Sequence, residues 1–390
     1  MDTPITTLED VRRWLTHEAR FVAGTGEIAQ ALVERLRAAG LPIDRFTTGV
    51  PSLHPQVDSF STLWDEAEGL TFRTFRRSNM AALENSPLFV VYNEGVTVRC
   101  RLEGPAPADE AGILAELRSD GITDYVAVPL PFSDGSVKAV TYGTRAPGGF
   151  SDAQVAALES LRHEIAVAME IRYLRHMART LMDTYVGPVA GRRVLDGAIK
   201  RGMGETIRAA IWFCDLRGFT ALSEKLAGDA VIDLLNDYFD VVTAAIEGAD
   251  GEILKFIGDA VLAIFAPTEG EDEAAAAGRA LTAARAAVTA LAERNAERAA
   301  AGKTEIGLGI ALHFGDVHYG NVGGANRLDF TVIGPAVNLA SRIEALTREV
   351  GRTVLVSQGF ANLHGGDFET VGEFALKGLR ANQTVFAPGG

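Results

Sequence analysis

The first fifty residues carry a helical pattern of hydrophobic positions. Apolar side chains recur at spacings of three and four, which is the period of a helix with one buried face. They are Val11, Trp14, Leu15, Ile28, Leu32 and Leu36. Gly40 and Pro42 end the pattern, because both residue types disfavour a continuing helix. We therefore predict a helical segment over residues 1–50.

From Ser86 the pattern changes to one of β-strands, rich in β-branched and aromatic residues. The predicted strands are Leu88–Tyr92, Val96–Leu102, Tyr125–Leu130 and Val137–Thr141. Turn sequences separate them, as in Asn93-Glu94-Gly95 and Ser133-Asp134-Gly135. This segment predicts a small α+β domain over residues 51–150.

A helix is predicted after the break at Pro147-Gly148-Gly149. Ser151 and Gln154 have the spacing of a capping box, and the helical pattern runs to about Leu181. Its apolar positions are Leu158, Leu161, Ile165, Ala168, Ile171, Leu174, Met177 and Leu181. Because several successive spacings are three, a coiled coil on this face would be locally overwound. The alternative is a helix that packs on its own domain. We assign residues 151–205 to a signalling helix and a transducer linker.

Strands and helices alternate in the remainder of the chain, residues 206–390. The predicted elements are a strand Ala209–Cys214, a helix Asp229–Glu247, a hairpin of Glu252–Phe256 and Ala260–Phe265, a helix Glu271–Ala300, strands at Ile306–His313 and near Phe330, a helix Ala336–Leu346 and closing strands. Helices that alternate with strands and hairpins indicate an α+β domain with a mixed sheet.

Composition narrows the functional classes. The formal net charge of −14 argues against a nucleic-acid binder, which needs clustered Lys and Arg. Cys100 and Cys214 lie far apart without CxxC partners, so we expect neither a disulfide framework nor a zinc site. The first residues lack the pattern of a signal peptide, and no apolar run approaches the roughly 20 residues that span a bilayer. We expect a cytoplasmic protein with no membrane span.

Two aspartates stand at turns where a ligand would have access. Asp215 ends an apolar strand, and Asp259 follows Gly258 at the tip of the predicted hairpin. Each alone is most simply a turn-capping residue. Together they fit a pair of magnesium ions, since hard cations prefer oxygen ligands and share the remaining positions with substrate phosphates.

The sequence around these aspartates resembles the signature blocks of class III nucleotidyl cyclases. The three blocks are residues 213–220 (FCDLRGFT), 254–260 (LKFIGDA) and 328–342 (LDFTVIGPAVNLASR). The resemblance covers about the last 185 residues. It implies a ferredoxin-like α+β fold, an obligate dimer, and conversion of a nucleoside triphosphate to its cyclic 3′,5′-monophosphate with release of pyrophosphate.

The resemblance also implies roles for individual residues. Asp215, Asp259 and the carbonyl of Leu216 would hold two Mg²⁺ or Mn²⁺ ions, which activate the ribose 3′-hydroxyl and bind the β- and γ-phosphates. Asn338 would orient the ribose, and Arg342 would stabilise charge on the pentavalent α-phosphate. Phosphates would also be cradled by backbone amides, those of Arg217, Gly218, Phe219 and Thr220.

Two further positions bear on the choice of base. Lys255 matches the family's purine-contacting lysine, a donor to N1 of adenine. Thr331 stands where many adenylate cyclases carry an aspartate that accepts from the N6 amine, and threonine there marks the class IIIb subgroup. Guanylate cyclases carry glutamate and cysteine at these two positions. The nearby Asp329 is not assigned to the base, and the implied substrate is ATP.

The resemblance implies a homodimer with shared sites. The metal aspartates come from one protomer, and the base, ribose and phosphate residues come from its mate, although Lys255 and Asp259 lie on one hairpin. A small rotation of the preceding helix could then assemble or open both sites.

The amino-terminal half resembles a GAF domain over about residues 50–180. The matching segments are 121–130 (GITDYVAVPL), 133–135 (SDG) and 149–151 (GFS) before a helix. This resemblance implies a sensor for a small-molecule ligand that the sequence does not identify. Candidate pocket residues are Met80, Phe89, Tyr92, Tyr125 and Phe132, with core packing as the alternative. His54 could bind a haem or metal and Cys214 could be redox sensitive, and structural roles are the alternatives.

Two rival functions stay open. A cyclase domain that acts only as a regulatory module usually lacks a metal aspartate or the transition-state arginine, whereas this chain retains both kinds of residue. A guanylate cyclase is disfavoured by Lys255 and Thr331.

Overall fold

The computed structural model describes residues 7–22, 24–54, 57–75, 86–107 and 112–389. Its contacts divide the chain into two compact units, Met1–Leu181 and Met182–Gly390. Each unit contains its own β-sheet. In the parts of the chain that the structure describes, no helix combines the length and apolar character needed to cross a membrane.

The first unit is an antiparallel sheet with helices on both sides. Its elements are α1 (Leu8–His17), α2 (Thr25–Ala38), β1 (Arg45–His54), β2 (Val57–Asp65), β3 (Gly69–Phe75), α3 (Pro87–Glu94), β4 (Val98–Arg101), α4 (Ile113–Ser119), β5 (Asp124–Pro131), β6 (Val137–Thr144), α5 (Asp152–Ser160) and α6 (Arg162–Tyr185). The strand order is β3-β2-β1-β6-β5-β4. Strand β1 begins at Arg45, inside the stretch that the sequence pattern predicts as helical.

Each face of this sheet buries a separate core. Val126 and Val128 of β5 pack with residues of α1, α2, α5 and α6, whereas Tyr125 and Ala127 pack with residues of α3 and α4. Successive strand side chains point to opposite faces, so the two cores lie on opposite sides of the sheet.

The predicted strand at Leu88–Tyr92 is wrong, because these residues form helix α3. Pro87 occupies the first turn, and Gly95 ends the helix with a left-handed φ of 66°. Proline at the start and glycine just past the end are the positions that these residues favour around a helix. The periodicity of a short apolar run does not distinguish a strand from a buried helix. The proline and glycine at the two ends are therefore the signals that indicate a helix here.

The predicted helix after residue 150 is present in two pieces. Its capping box is confirmed, because the Ser151 hydroxyl accepts from the Gln154 amide and the Gln154 side chain accepts from the Ser151 amide. The chain turns at the fully buried Leu161, which separates α5 from α6. Ile165 and Ala168 are buried in the unit's own core, so own-domain packing holds for these positions.

The second unit has the predicted mixed sheet. Its elements are α7 (Pro188–Leu195), β7 (Gly204–Leu216), α8 (Phe219–Lys225), α9 (Gly228–Glu247), β8 (Glu252–Ile257), β9 (Ala260–Phe265), α10 (Glu273–Ala300), β10 (Leu308–Gly323), β11 (Leu328–Ile333), α11 (Pro335–Glu349), β12 (Val354–Ser357), α12 (Gln358–His364), β13 (Phe368–Phe374) and β14 (Gln383–Pro388). The strand order is β13-β14-β12-β10-β7-β9-β8, with β11 paired to β10. Strands β10 and β12 are parallel.

Strand β7 has helices over both faces. Trp212 and Cys214 pack with residues of α9 and α10, whereas Ala209 and Ile211 join a core that includes residues of α7 and α11. Because strand side chains alternate, Asp215 lies on the α11 side of the sheet.

Candidate active site

The sheet brings the two predicted metal aspartates together. Asp215 is at the end of β7, and Asp259 lies in the turn between β8 and β9. Cys214 of β7 is paired with Val261 of β9, so each aspartate is close to the same strand pair. Burial, and then the neighbouring charge of Asp259, raise the pKa of Asp215 to about 6. The two carboxyl groups are therefore close enough for their charges to interact.

This pair fits the divalent ions that the cyclase resemblance implies. Two adjacent carboxylates oppose each other's ionisation, and a divalent cation between them would remove that penalty. Oxygen donors are the ligands that Mg²⁺ and Mn²⁺ prefer. No group of three or more His, Cys, Asp or Glu side chains suited to a metal occurs among the described residues. The cyclase resemblance assigns the Leu216 carbonyl as a further ligand, and water and substrate oxygens would complete the coordination.

The loop after Asp215 is held by its first residue. The Arg217 amide donates to the Gly307 carbonyl at 2.9 Å, so it is not free to bind a phosphate as the sequence predicts. The amides of Gly218, Phe219 and Thr220 begin α8, where helical N–H groups have no partner within the helix. Gly218 has a left-handed φ of 73°, a conformation that favours glycine.

The Arg217 side chain fastens this loop to the end of helix α11. Its guanidinium donates to the carbonyls of Thr347 and Arg352 at 3.3 and 2.6 Å. Helix α11 also presses on β10, because a Cβ at Gly309 would lie 2.5 Å from the Glu344 Oε1. Gly309 is the residue paired with Asp215. The strand that carries Asp215 and the helix with Asn338 and Arg342 are thus packed directly on each other.

Glu344 lies near Asp215 and was not among the residues predicted for the site from the sequence. Burial, and then the charge of Asp215, raise the pKa of Glu344 to about 7. Glu344 follows Ile343, which is fully buried. The available signal in the sequence was a carboxylate next to the apolar face of a predicted helix.

The two predicted base-reading residues lie on strands that approach each other. Lys255 of β8 places its Nζ 3.5 Å from the Asp329 Oδ2 of β11. Thr331 lies two residues further along β11 and is 2% exposed, and its hydroxyl has no hydrogen-bond partner among the residues that the structure describes. The strand whose Asp329 contacts Lys255 thus also carries a buried hydroxyl.

Asn338 and Arg342 lie on one face of α11. They are four residues apart, which aligns side chains on a helix. The Arg342 guanidinium lies against Gly378, where a Cβ would meet its Nη2 at 3.3 Å. Sequence reasoning missed this loop, in which Lys377 adds an exposed second cation. The adjacent Lys377 and Gly378 were the available signal in the sequence.

Cys214 has the properties of a structural residue. It is fully buried, and its Sγ lies 3.3 Å from the Tyr238 hydroxyl. Burial raises the pKa of Cys214 to about 11, so the thiol stays protonated at neutral pH and is a poor nucleophile.

Family comparison identifies the second unit. Residues 203–387 match the model of the adenylate and guanylate cyclase catalytic domain. This region is a class III cyclase catalytic domain. The match agrees with the resemblance of the three signature blocks.

Curated relatives of the cyclase domain include named adenylate cyclases. One from Anabaena cylindrica is 36% identical over 215 residues, 53% of this chain and 41% of that protein. Adenylate cyclase 1 of Rhizobium meliloti is 34% identical over 146 residues, 37% of this chain and 22% of that protein. The chain thus spans less than half the length of these relatives. The structure of the adenylyl cyclase CyaB from P. aeruginosa aligns at 28% identity with a TM-score of 0.44, covering 47% of this chain and 94% of that chain.

The candidate pocket residues of the first unit do not gather at one place. Tyr125 and Phe132 are buried in the cores on opposite faces of the sheet, and Phe89 is 43% exposed. Tyr92 packs against the same core as Tyr125. Met80 and the side chain of His54 lie outside the described residues.

Proposed function

We propose that this protein is an adenylate cyclase that converts ATP to 3′,5′-cyclic AMP and pyrophosphate. The observation that carries the proposal is the pair of neighbouring carboxylates, Asp215 and Asp259, which the pairing of β7 with β9 brings together in a class III cyclase domain. The adenylate cyclases among its relatives support the choice of reaction.

The chain supplies a distinct contact for each part of ATP. In the reaction the ribose 3′-oxygen loses its proton and forms a bond to the α-phosphorus. The bond between the α-phosphorus and the oxygen that bridges to the β-phosphate breaks, and pyrophosphate leaves. Asp215, Asp259 and the Leu216 carbonyl would hold two Mg²⁺ or Mn²⁺ ions, which when bound acidify the 3′-hydroxyl and neutralise phosphate charge. Asn338 orients the ribose, and Arg342 stabilises the charge that develops on the α-phosphate.

Lys255 and Thr331 favour adenine over guanine. The lysine donates to the unprotonated N1 of adenine and would be repelled by the N1 hydrogen of guanine. The Thr331 hydroxyl can accept from the N6 amine. It has no hydrogen-bond partner within the described part of the chain, which supports this role. A buried hydroxyl without a partner costs free energy that a ligand would recover.

Product analysis of the purified full chain tests the proposal. With ATP and Mn²⁺ or Mg²⁺, chromatography is expected to find cyclic AMP and pyrophosphate, whereas GTP should yield roughly tenfold less cyclic product, equivalent to about 1.4 kcal/mol. A larger yield from GTP would reverse the base assignment. Nucleotide binding without a cyclic product from either would favour the regulatory-module alternative.

We further propose a homodimer, supported by an apolar stripe on helix α6. Val167 is 59% exposed and Leu174 is 48% exposed. Members of the stripe are spaced by four and three alternately, which is the heptad repeat of a coiled coil. They are Val167, Ile171, Leu174, Ala178, Leu181 and Tyr185. The apolar face that the sequence pattern predicts for this helix includes some residues of the stripe. It also includes residues that are buried in the unit's own core.

Charges beside the stripe suit a parallel pair of helices. Glu170 and Arg175 flank it at positions that face each other between the two helices of a parallel coiled coil. Glu170 also accepts from the Ser133 amide at 3.0 Å within its own chain, and a carboxylate has further acceptor sites.

Replacing Leu174 with glutamate is expected to weaken self-association at least about tenfold, because it places two like charges in the apolar seam. Sedimentation over a range of protein concentrations measures the change. Arg179→Glu is the matched control, since Arg179 is exposed on the same helix outside the stripe. Equal association of both variants would count against this interface.

A route for regulation runs from helix α7 to the strand that carries Lys255. Arg193 of α7 lies over the Tyr319 ring, 4.8 Å from its centroid, and Tyr319 donates to Glu252 of β8 at 2.5 Å. Because β8 also carries Lys255, a movement of α7 would reach the base-binding strand. We propose that the GAF-like first unit, on binding a small molecule, controls turnover through α6 and α7.

A further inference from the structure

The Asp215 segment, residues 215–218, connects β7 to α8 and receives little support from the helix that follows it. Helix α8 has seven residues, all described by the structure, and none of them is buried. Phe219 and Leu222 pack against the core of the unit but are only partly buried. A helix this short gains most of its stability from packing, so the position of the Asp215 segment depends on other contacts.

The side chain of Arg217 makes such a contact with the C-terminal end of α11. Its Nη2 donates to the Thr347 carbonyl at 3.3 Å and to the Arg352 carbonyl at 2.6 Å. Carbonyls at the end of a helix carry partial negative charge, which favours a cation there, and hydrogen bonds from a charged donor are stronger than neutral ones. Both acceptors are main-chain atoms, so the end of the helix sets their positions.

The same end of α11 lies close to Asp215. Thr347 is 1% exposed, and a Cβ at Gly309, the residue paired with Asp215, would overlap with the Thr347 hydroxyl. Burial, and then the charge of Asp215, raise the pKa of Glu344 on this helix, whereas the charge of Arg217 lowers it. The guanidinium therefore lies near the carboxyl groups of the site as well as at the helix end.

We propose that Arg217 is a positioning residue that fixes the Asp215 segment to α11 and so holds two ligands of the divalent ions in place. The two ligands are the Asp215 carboxylate and the Leu216 carbonyl, which directly precede Arg217 in the chain. A metal site needs contacts around its ligands that fix their orientation. This inference rests on the proposed function and deepens it, because it names the contact that supports the metal site.

The test compares ATP turnover by the full chain, Arg217→Met and Arg217→Lys over a range of Mg²⁺ concentrations. Arg217→Met removes the donor, and it is expected to raise the Mg²⁺ concentration for half-maximal rate about tenfold and to lower kcat about tenfold. The KM for ATP at saturating Mg²⁺ should change less, since the contacts to base and ribose remain. Both hydrogen bonds leave from one nitrogen, so a lysine ammonium can replace it, and Arg217→Lys should recover most of the Mg²⁺ affinity.

Arg348→Met is the matched control, because Arg348 is exposed on the last turn of the same helix. It should leave the Mg²⁺ requirement unchanged. Thermal unfolding of each variant identifies an assay temperature at which all of them are folded. A lower unfolding temperature of Arg217→Met with an unchanged Mg²⁺ requirement would mean a merely stabilising contact and would overturn the inference, as would Arg217→Lys behaving like Arg217→Met.

The failure of this inference can be distinguished from failure of the proposed function. If the unaltered chain makes no cyclic product, the proposed function fails, and calorimetry of Mn²⁺ binding to the same variants still tests Arg217. Weaker Mn²⁺ binding by Arg217→Met than by Arg348→Met would support the positioning role. Equal binding by the two would refute it.

Discussion

Replacing Asp259 with asparagine is expected to lower turnover of ATP with Mg²⁺ by about 10³-fold or more. The amide keeps the shape of the side chain but removes one of the two charges that would hold the ions. The fold should survive, because the charge of Asp259 raises the pKa of Asp215, which is the sign of repulsion between the carboxylates. Removing that repulsion is not expected to destabilise the unliganded protein.

Steady-state rates over a range of Mg²⁺ concentrations, with calorimetry of Mn²⁺ binding, measure the effect. Asp240→Asn is the matched control, since Asp240 is exposed on α9 and lies outside the proposed site. Asp259→Asn should show weaker Mn²⁺ binding together with the lower rate of turnover, and Asp240→Asn should show neither change. A rate within about tenfold of the unaltered protein, with ion binding unchanged, would remove Asp259 from the metal assignment.

The placement of Asp215 and Asp259 can be predicted from the sequence because it is local. An apolar strand that ends in Asp215, and a hairpin with Gly258 and Asp259 at its tip, are read from neighbouring residues alone. The pairing of β7 with β9 then brings the two ends together. The same locality explains why the capping box at Ser151 is confirmed.

Features that depend on packing between distant segments could not be predicted. The anchoring of Arg217 on the carbonyl of Arg352 joins residues 135 positions apart, and nothing in the local pattern signals it. The packing of helix α6 could not be predicted either, because its apolar residues lie on two faces of the helix. The sequence pattern does not distinguish Ile165 from Leu174, but Ile165 is buried in the core and Leu174 is exposed.

Mixing two inactive variants, Asp215→Ala and Arg342→Ala, is expected to restore about a quarter of the unaltered activity. In a dimer with shared sites, each variant spoils both sites of its own homodimer. A heterodimer instead combines both changes in one site and leaves the other site intact. Random exchange makes about half of the dimers heterodimers, each with one working site of two, which gives that fraction.

The control mixture pairs Asp215→Ala with Asp259→Ala, which change the same half of the site. Every site in every dimer then lacks a metal aspartate, so no activity should return. Native mass spectrometry of both mixtures establishes that subunits have exchanged. Recovery in the first mixture alone would require Asp215 and Arg342 to act from different protomers. Failure in both, with heterodimers present, would mean that one chain supplies the whole site, and the shared-site proposal would have to be abandoned.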